Sequence, residues 1–256
     1  MRFSILGSGS RGNAVFIESG KTAILIDAGF SGKEIQNRLR FIGRELSDIR
    51  ALCLTHEHND HICGVGVISR RCKIPVYANS GTFGAGDKKI GRITGRKEFE
   101  TGEILQIDDL EVRSFRISHD TADPVGFVVS DGKTRLGYCT DTGQVSRLMA
   151  TRLAGCNGLI LEFNHNLTML KNGPYPLPLQ QRVRSSQGHL RNEDAAALLA
   201  KLIGDHLRVV VLAHLSETNN TPELAKTAAL EAVVEWGDTA LLVAMQDKSL
   251  PLVEIN

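Results

Sequence analysis

The chain has no surplus of either charge. Its 30 lysines and arginines against 29 aspartates and glutamates leave a formal net charge of +1. No global field therefore draws it to a polyanion, and nucleic-acid contacts would have to come from local basic patches. A disulfide framework is also missing, because the five cysteines, Cys53, Cys63, Cys72, Cys139 and Cys156, are odd in number, scattered and without a CxxC pair. They are expected to be reduced thiols packed as small apolar side chains, which points to the cytoplasm. The longest apolar run, Ala240 to Met245, falls far short of the ~20 residues of a membrane helix. The opening MRFSILGSGSRGNAVF carries one early positive charge and an apolar run broken by glycines, a poor secretion signal.

What is present fits a soluble globular protein with a sizeable core: 256 residues, 42% hydrophobic and 23% charged. Short β-type runs at Arg2–Gly7, Ala14–Glu18 and Ala23–Ala28 are separated by Gly/Ser/Asn turns. A helical pattern over Gly32–Phe41 follows, with Ile35, Leu39 and Ile42 on one face. Leu52–Thr55 reads as a buried strand, Ile62–Arg71 as a helix and Pro75–Ala78 as a strand. Further strands are expected near Ile104–Ile107, Leu110–Ile117, Gly126–Ser130, Arg135–Cys139, Leu159–Glu162 and Val209–Ala213. Asn192–Ile203 and Thr221–Trp236 read as helices with Asn192 and Thr221 as N-caps and Pro222 at the first helical position. No linker divides the chain, so residues 1–256 are taken as one α/β domain of two face-to-face sheets with helices outside. The proline- and arginine-containing stretch Asn172–Gln187 reads as a surface loop or lid.

The strongest signal is His56-Glu57-His58-Asn59-Asp60-His61, an HxHxDH motif directly after an apolar strand. A loop at a strand end can turn His56 and His58 towards one ion and aim Asp60 and His61 at a second. Three more ligand-type side chains sit in matching contexts: His119, Asp141 and His214 each follow a strand-like run. Taken singly each is an ordinary loop residue; as an ordered set they describe a site built along one sheet edge. Nitrogen and carboxylate donors suit two divalent ions, Zn or Mn, with Fe compatible.

With these motifs the chain resembles the metallo-β-lactamase superfamily. The resemblance implies a four-layer αββα sandwich in which His56, His58 and His119 hold one metal, Asp60, His61 and His214 hold the other, and Asp141 bridges them. It further implies that Asp27, in Leu25-Ile26-Asp27-Ala28-Gly29, orients a ligating histidine. Two cations bridged by a carboxylate lower the pKa of a shared water, giving a hydroxide nucleophile near neutral pH, with Asp60 placed to orient it.

Other stretches narrow the substrate. Leu6–Asn13 is a Gly/Ser loop whose Ser8, Ser10 and Asn13 are candidates for phosphate contact. Glu162-Phe163-Asn164-His165 ends a strand, and Gly188-His189-Leu190-Arg191 leads into a helix, where an anion is favoured. Together with the metal motifs, these segments resemble the WalJ/YycJ-like subgroup of DNA exonucleases. That resemblance implies 5′-to-3′ hydrolysis of DNA, manganese dependence, and His165, His189 and Arg191 on the scissile or terminal phosphate, with one histidine protonating the leaving oxygen. One departure is Asn166, where the subgroup usually has Asp. Lys88, Lys89, Arg92, Arg96 and Lys97, flanked by Phe83 and Phe99, and Arg182, Arg184 and Arg191 are further candidates for backbone contacts and weak base stacking. His206 has no such context. The alternatives are a small-molecule hydrolase of the same fold, a cyclic phosphodiesterase or thioesterase, and a non-catalytic nucleic-acid-binding or regulatory protein. The sequence leaves the oligomeric state open.

Overall fold

The computed structural model describes residues 1–233 and 236–256. The apolar runs become fourteen strands among the described residues, divided between two sheets. The first sheet holds β1 (Arg2–Gly7), β2 (Ala14–Glu18), β3 (Ala23–Ile26), β4 (Ile49–Cys53), β5 (Pro75–Asn79) and β6 (Gly95–Phe99). The second holds β7 (Ile104–Ile107), β8 (Leu110–Arg116), β9 (Val125–Ser130), β10 (Arg135–Cys139), β11 (Gly158–Glu162), β12 (Val209–Ala213) and β13 (Ala240–Val243); β14 (Val253–Glu254) returns to the edge of the first. The orders are β14-β1-β2-β3-β4-β5-β6 and β13-β12-β11-β10-β9-β8-β7. Each sheet is antiparallel at one side and parallel at the other, changing at β3–β4 in the first and β10–β11 in the second.

The sheets face each other across a core that includes Phe3, Ile5, Ile24, Ile26, Phe127, Ile160 and Val211. Helices α1 (Gly32–Phe41), α2 (Asn59–Ile62), α3 (Val65–Cys72) and α4 (Ser80–Ile90) belong to the first half; α1, α3 and α4 cover its outer face. Helices α5 (Arg147–Leu153), α6 (Leu167–Asn172), α7 (Leu177–Val183), α8 (Asn192–Leu202) and α9 (Pro222–Ala232) belong to the second, whose outer core includes Met149, Leu198, Leu199, Ala225 and Ala229. The result is the expected αββα sandwich. Burial on both faces explains why β2, β3, β11 and β12 are buried at every position and show no alternation.

Several boundaries and elements differ from the sequence expectation. The Ile62–Arg71 helix is two, α2 and α3, and α2 takes in half of the histidine motif, so Asp60 and His61 sit on a helical turn, not a loop. The Asn172–Gln187 stretch is not an irregular loop: Leu177-Pro178 starts α7. Thr221 caps α9 as expected, its side chain accepting from Leu224 N, but Arg191 and not Asn192 stands at the cap of α8. The expected α9 extension to Trp236 crosses Val234 and Glu235, which lie outside the described residues. Helix α4 was missed because SGTFGAGDKKI is glycine-rich; Asn79 starts it by accepting from Thr82 N at 2.9 Å. Replacing the fully buried Ile160 by Ala is expected to cost about 2–5 kcal/mol, read as a lower denaturant midpoint with an unchanged slope; a loss under 1 kcal/mol would contradict its place between the sheets.

Candidate metal centre and cleft

The ligand-type residues gather at one edge because each stands at the C-terminal end of a strand: Asp27 after β3, the histidine motif after β4, His119 after β8, Asp141 after β10, Glu162 closing β11 and His214 after β12. Three of these turns are tight enough to force a non-glycine residue into left-handed backbone, with φ of 59° at Asp27, 59° at Asp141 and 54° at His214. Such conformations cost about 1–3 kcal/mol each and persist where surroundings over-determine them. At the neighbouring Gly29 a side chain is impossible, since a Cβ would lie 1.7 Å from the Asp60 carbonyl oxygen.

Two clusters result. Ligand atoms of His56, His58 and His119 lie within 4.8 Å of one another, as do those of Asp60, His61 and His214. Asp141 lies between them: its Oδ1 is 3.9 Å from His119 Nε2 and 3.3 Å from His214 Nε2, and its Oδ2 is 3.4 Å from His61 Nε2. His56 Nε2, Asp141 Oδ2 and His214 Nε2 are buried without a hydrogen-bond partner. Buried polar atoms are ordinarily satisfied, and three orphaned donors of electron pairs converging on one space fit divalent cations. Asp27 accepts from the Thr55 amide and hydroxyl at 2.9 and 2.8 Å and pairs with His61 Nδ1 at 2.8 Å, leaving His61 Nε2 for the cluster.

Sequence reasoning gave Glu162 no role. The structure buries its carboxylate completely beneath the centre, 2.8 Å from His189 Nδ1 and 3.0 Å from His214 Nδ1, where it also accepts from the amides of Asp141, Thr142 and Leu190 at 3.0–3.2 Å. It thus orients two histidines and the Asp141 turn at once. An acidic residue closing an otherwise apolar strand, LILE, was the available signal.

The two clusters titrate in opposite senses. Burial and mutual repulsion of the imidazoles push His56, His58 and His119 below the ordinary histidine range. At His61 burial opposes the charge, but Asp141, Asp27 and Asp60 outweigh it and raise the pKa to about 9; Asp141, Asp60 and Glu162 do the same for His214.

The centre opens into a cleft of about 330 Å³ lined by Ser10, Asp60, His119, Asp141, Tyr175, Leu179, Arg182 and His189 among others. Helix α7 therefore forms one wall, and Arg182 is tied across it to Asp120 at 2.6 Å. Of the Gly/Ser loop, Ser10 reaches the cleft while Ser8 and Asn13 face inward. Ser8 Oγ accepts from His214 N at 2.9 Å, and Asn13 Nδ2 lies 3.0 Å from His61 Nε2. His165 and Arg191 line an adjoining pocket that shares His189 with the cleft. Burial holds the His165 pKa down to about 4. Asn166 serves α6 as its cap, accepting from Met169 N at 3.0 Å. Lys88, Lys89, Arg92, Arg96 and Lys97 are absent from the cleft lining; Arg96 pairs with Glu98 and stacks on Phe83. Phe83 and Phe99 are core residues, which removes them as base-stacking candidates. Asn157 Nδ2 donates to the His206 carbonyl, away from the centre.

A fold of two such sheets with imidazoles and carboxylates at one edge defines a metal-dependent hydrolase. Residues 7–214 match the model of the metallo-β-lactamase superfamily, and the chain belongs to that superfamily. It is 38% identical to the exodeoxyribonuclease YycJ of Bacillus anthracis over 93% of this chain and 90% of that one. With the exodeoxyribonuclease WalJ of Streptococcus pneumoniae it shares 36% identity over 99% of this chain and 98% of that one. Among solved structures, the metallo-β-lactamase fold protein YhfI of Bacillus subtilis superposes with a TM-score of 0.74 at 15% identity, over 97% of this chain and 98% of that one, a likeness of fold.

Metal ligation needs neutral imidazole. Filling the His56/His58/His119 cluster near pH 7 is thus expected to release no protons, whereas filling the Asp60/His61/His214 cluster displaces them. The affinity of the second event is expected to rise with pH through about 9, where His61 deprotonates unaided, and to go on rising until His214 does the same. Calorimetric titration of metal-free protein in two buffers of different ionisation enthalpy measures this; two pH-independent events would contradict it.

Proposed function

We propose that the protein is a dinuclear-metal phosphodiesterase acting on DNA as a 5′-to-3′ exonuclease. The observation that carries the reading is the Asp141 carboxylate lying between two histidine clusters on the floor of an open cleft. The two full-length relatives named as exodeoxyribonucleases direct it to DNA. His56, His58 and His119 would hold one ion and Asp60, His61 and His214 the other, with Asp141 placed between the two clusters. Zn, Mn and Fe suit this donor set. When bound, the ions supply a hydroxide nucleophile at neutral pH and neutralise charge developing on the phosphoryl oxygens.

The remaining work falls to this chain's own side chains. Asp60, held by Asn13 Nδ2 at 3.3 Å from its Oδ2, aligns the attacking oxygen. His189 Nδ1 is engaged by Glu162, so Nε2 is the atom that serves the substrate, donating a proton to the departing 3′ oxygen. Tyr175, with Leu179 beside it, offers a ring to the base next to the scissile phosphate. The Arg182–Asp120 pair fixes α7 over the cleft and keeps that wall in place.

The test is hydrolysis of end-labelled DNA and RNA by the metal-analysed protein, titrating Mn and Zn. Stepwise release of mononucleotides from DNA 5′ ends is expected, and Asp60→Ala is expected to lower it by at least about 10²-fold, the scale of losing one preorganised electrostatic group. The variant should retain cooperative unfolding. Hydrolysis of bis(p-nitrophenyl) phosphate without cleavage of any polynucleotide would move the assignment to a small-molecule phosphodiesterase. Glu162→Gln should lower metal affinity or activity by about 10–100-fold, as loss of a residue that orients ligands does.

A further inference from the structure

Charge is spread unevenly over this chain. Residues 65–99 hold eight lysines and arginines against two acids, a surplus of six, whereas the whole chain is balanced to +1, so the remainder is net acidic. The structure gathers that surplus where α3 and α4 end side by side. The two helices cross so closely that a Cβ at Gly66 would collide with the Ile90 carbonyl. Arg70 Nη1 donates to the Arg92 carbonyl, and Thr94 is tied to Ser69 by two bonds of 2.9 Å. Both acids of the segment, Asp87 and Glu98, are engaged by Arg96, which lies on the Phe83 ring. That leaves Arg70, Arg71, Lys73, Lys88, Lys89 and Arg92 exposed and in no ion pair among the described residues. The negative C-terminal ends of α3 and α4 favour a cation or two, but not six. Like charges gathered without counter-charge repel one another, and a bound polyanion relieves that repulsion.

We propose that this face carries the uncleaved part of the DNA strand, holding its phosphates after the strand leaves the metal cleft. The inference rests on the exonuclease reading and adds a second contact surface outside the cleft. Helix α4 joins the two. At its N-terminal end the cap residue Asn79 donates through Nδ2 to the Asp123 carbonyl at 2.7 Å. Asp120, in the same 120–123 loop, lines the cleft. From there the eleven residues of α4 run about 16 Å to Lys88 and Lys89, the rise of about five nucleotides of a B-form strand. The reaction gives such a surface a purpose. Each cut removes one nucleotide and leaves the strand attached to the cleft only by its new end, so backbone contacts further on keep it from departing between cuts. Phosphate contacts carry no sequence information, as a degradative enzyme requires. A lipid surface is the poorer fit, because membrane-binding faces mix basic residues with Trp, Phe or Leu. Among the described residues of this segment only Val67 exposes a large apolar side chain, and Phe83 and Phe99 are buried.

The experiment compares the full-length, metal-loaded protein with its Lys88→Glu/Lys89→Glu/Arg92→Glu variant. The kcat/KM of the first cut is measured on DNA from a dinucleotide to strands long enough to pass α4, over a range of salt, alongside bis(p-nitrophenyl) phosphate. For the unaltered protein kcat/KM is expected to rise with strand length and to fall steeply with salt. The variant should lose at least about tenfold on long strands, through KM, and its log–log salt slope should be shallower by about 0.7 per lost contact. Turnover of the dinucleotide and of the small diester should not change. Lys88→Arg/Lys89→Arg should behave as the unaltered protein does. If the charge-reversed variant does not fold, Lys88→Gln/Lys89→Gln/Arg92→Gln decides in its place. Unchanged long-strand rates and salt slope, with DNA still degraded, would overturn the surface and leave the exonuclease standing. Binding to phosphatidylglycerol vesicles that the variant loses, with DNA turnover unchanged, would assign the face to a membrane and overturn the proposal. Hydrolysis of the small diester alone would overturn the nuclease reading and the surface with it.

Discussion

The structure turns on the burial of carboxylates. Asp27, Asp141 and Glu162 are withdrawn from water at the edge where two sheets meet, and a lone ionised carboxylate in such a place costs several kcal/mol. Each is therefore met by imidazoles, amides or a hydroxyl. Those partners come from both sheets: Asp27 and His61 from the first, Asp141, Glu162 and His214 from the second. The αββα sandwich provides the dry interior that makes the charges expensive and the strand ends that compensate them. The left-handed turns at Asp27, Asp141 and His214 follow from the same demand, because only a sharp exit from the strand points these side chains back towards the shared space.

The centre is divided between a neutral cluster and a charged one. His56, His58 and His119 are held towards the neutral form by burial and by one another. His61 and His214 are instead held as cations by the carboxylates around them. Their positive charge lies against the buried carboxylates of Asp27, Asp141 and Glu162.

Much of the fold and of the centre was legible in the sequence, for identifiable reasons. β-Strands buried on both faces leave continuous aliphatic runs, and several of these runs ended in a ligand-type residue, so the order of those strands and the order of candidates appeared together. The cap at Thr221-Pro222 was equally plain. Less was readable where local chemistry misled: glycines masked α4, prolines at 176 and 178 made α7 look irregular, and α2 lay inside a motif read as a loop. Glu162 was hidden because its role comes from contacts with His189, His214 and the Asp141 turn, far apart along the chain. Ser8 and Asn13 showed the reverse, looking like ligands for phosphate and serving as struts for His214 and His61.

The bond from the His214 amide to the Ser8 hydroxyl spans 206 positions of sequence. A centre tied together over such a distance closes only when β12 has docked beside β11, after most of the chain has emerged from the ribosome. Early fragments therefore carry the whole histidine motif and yet lack both His214 and the bond that seats it against Ser8.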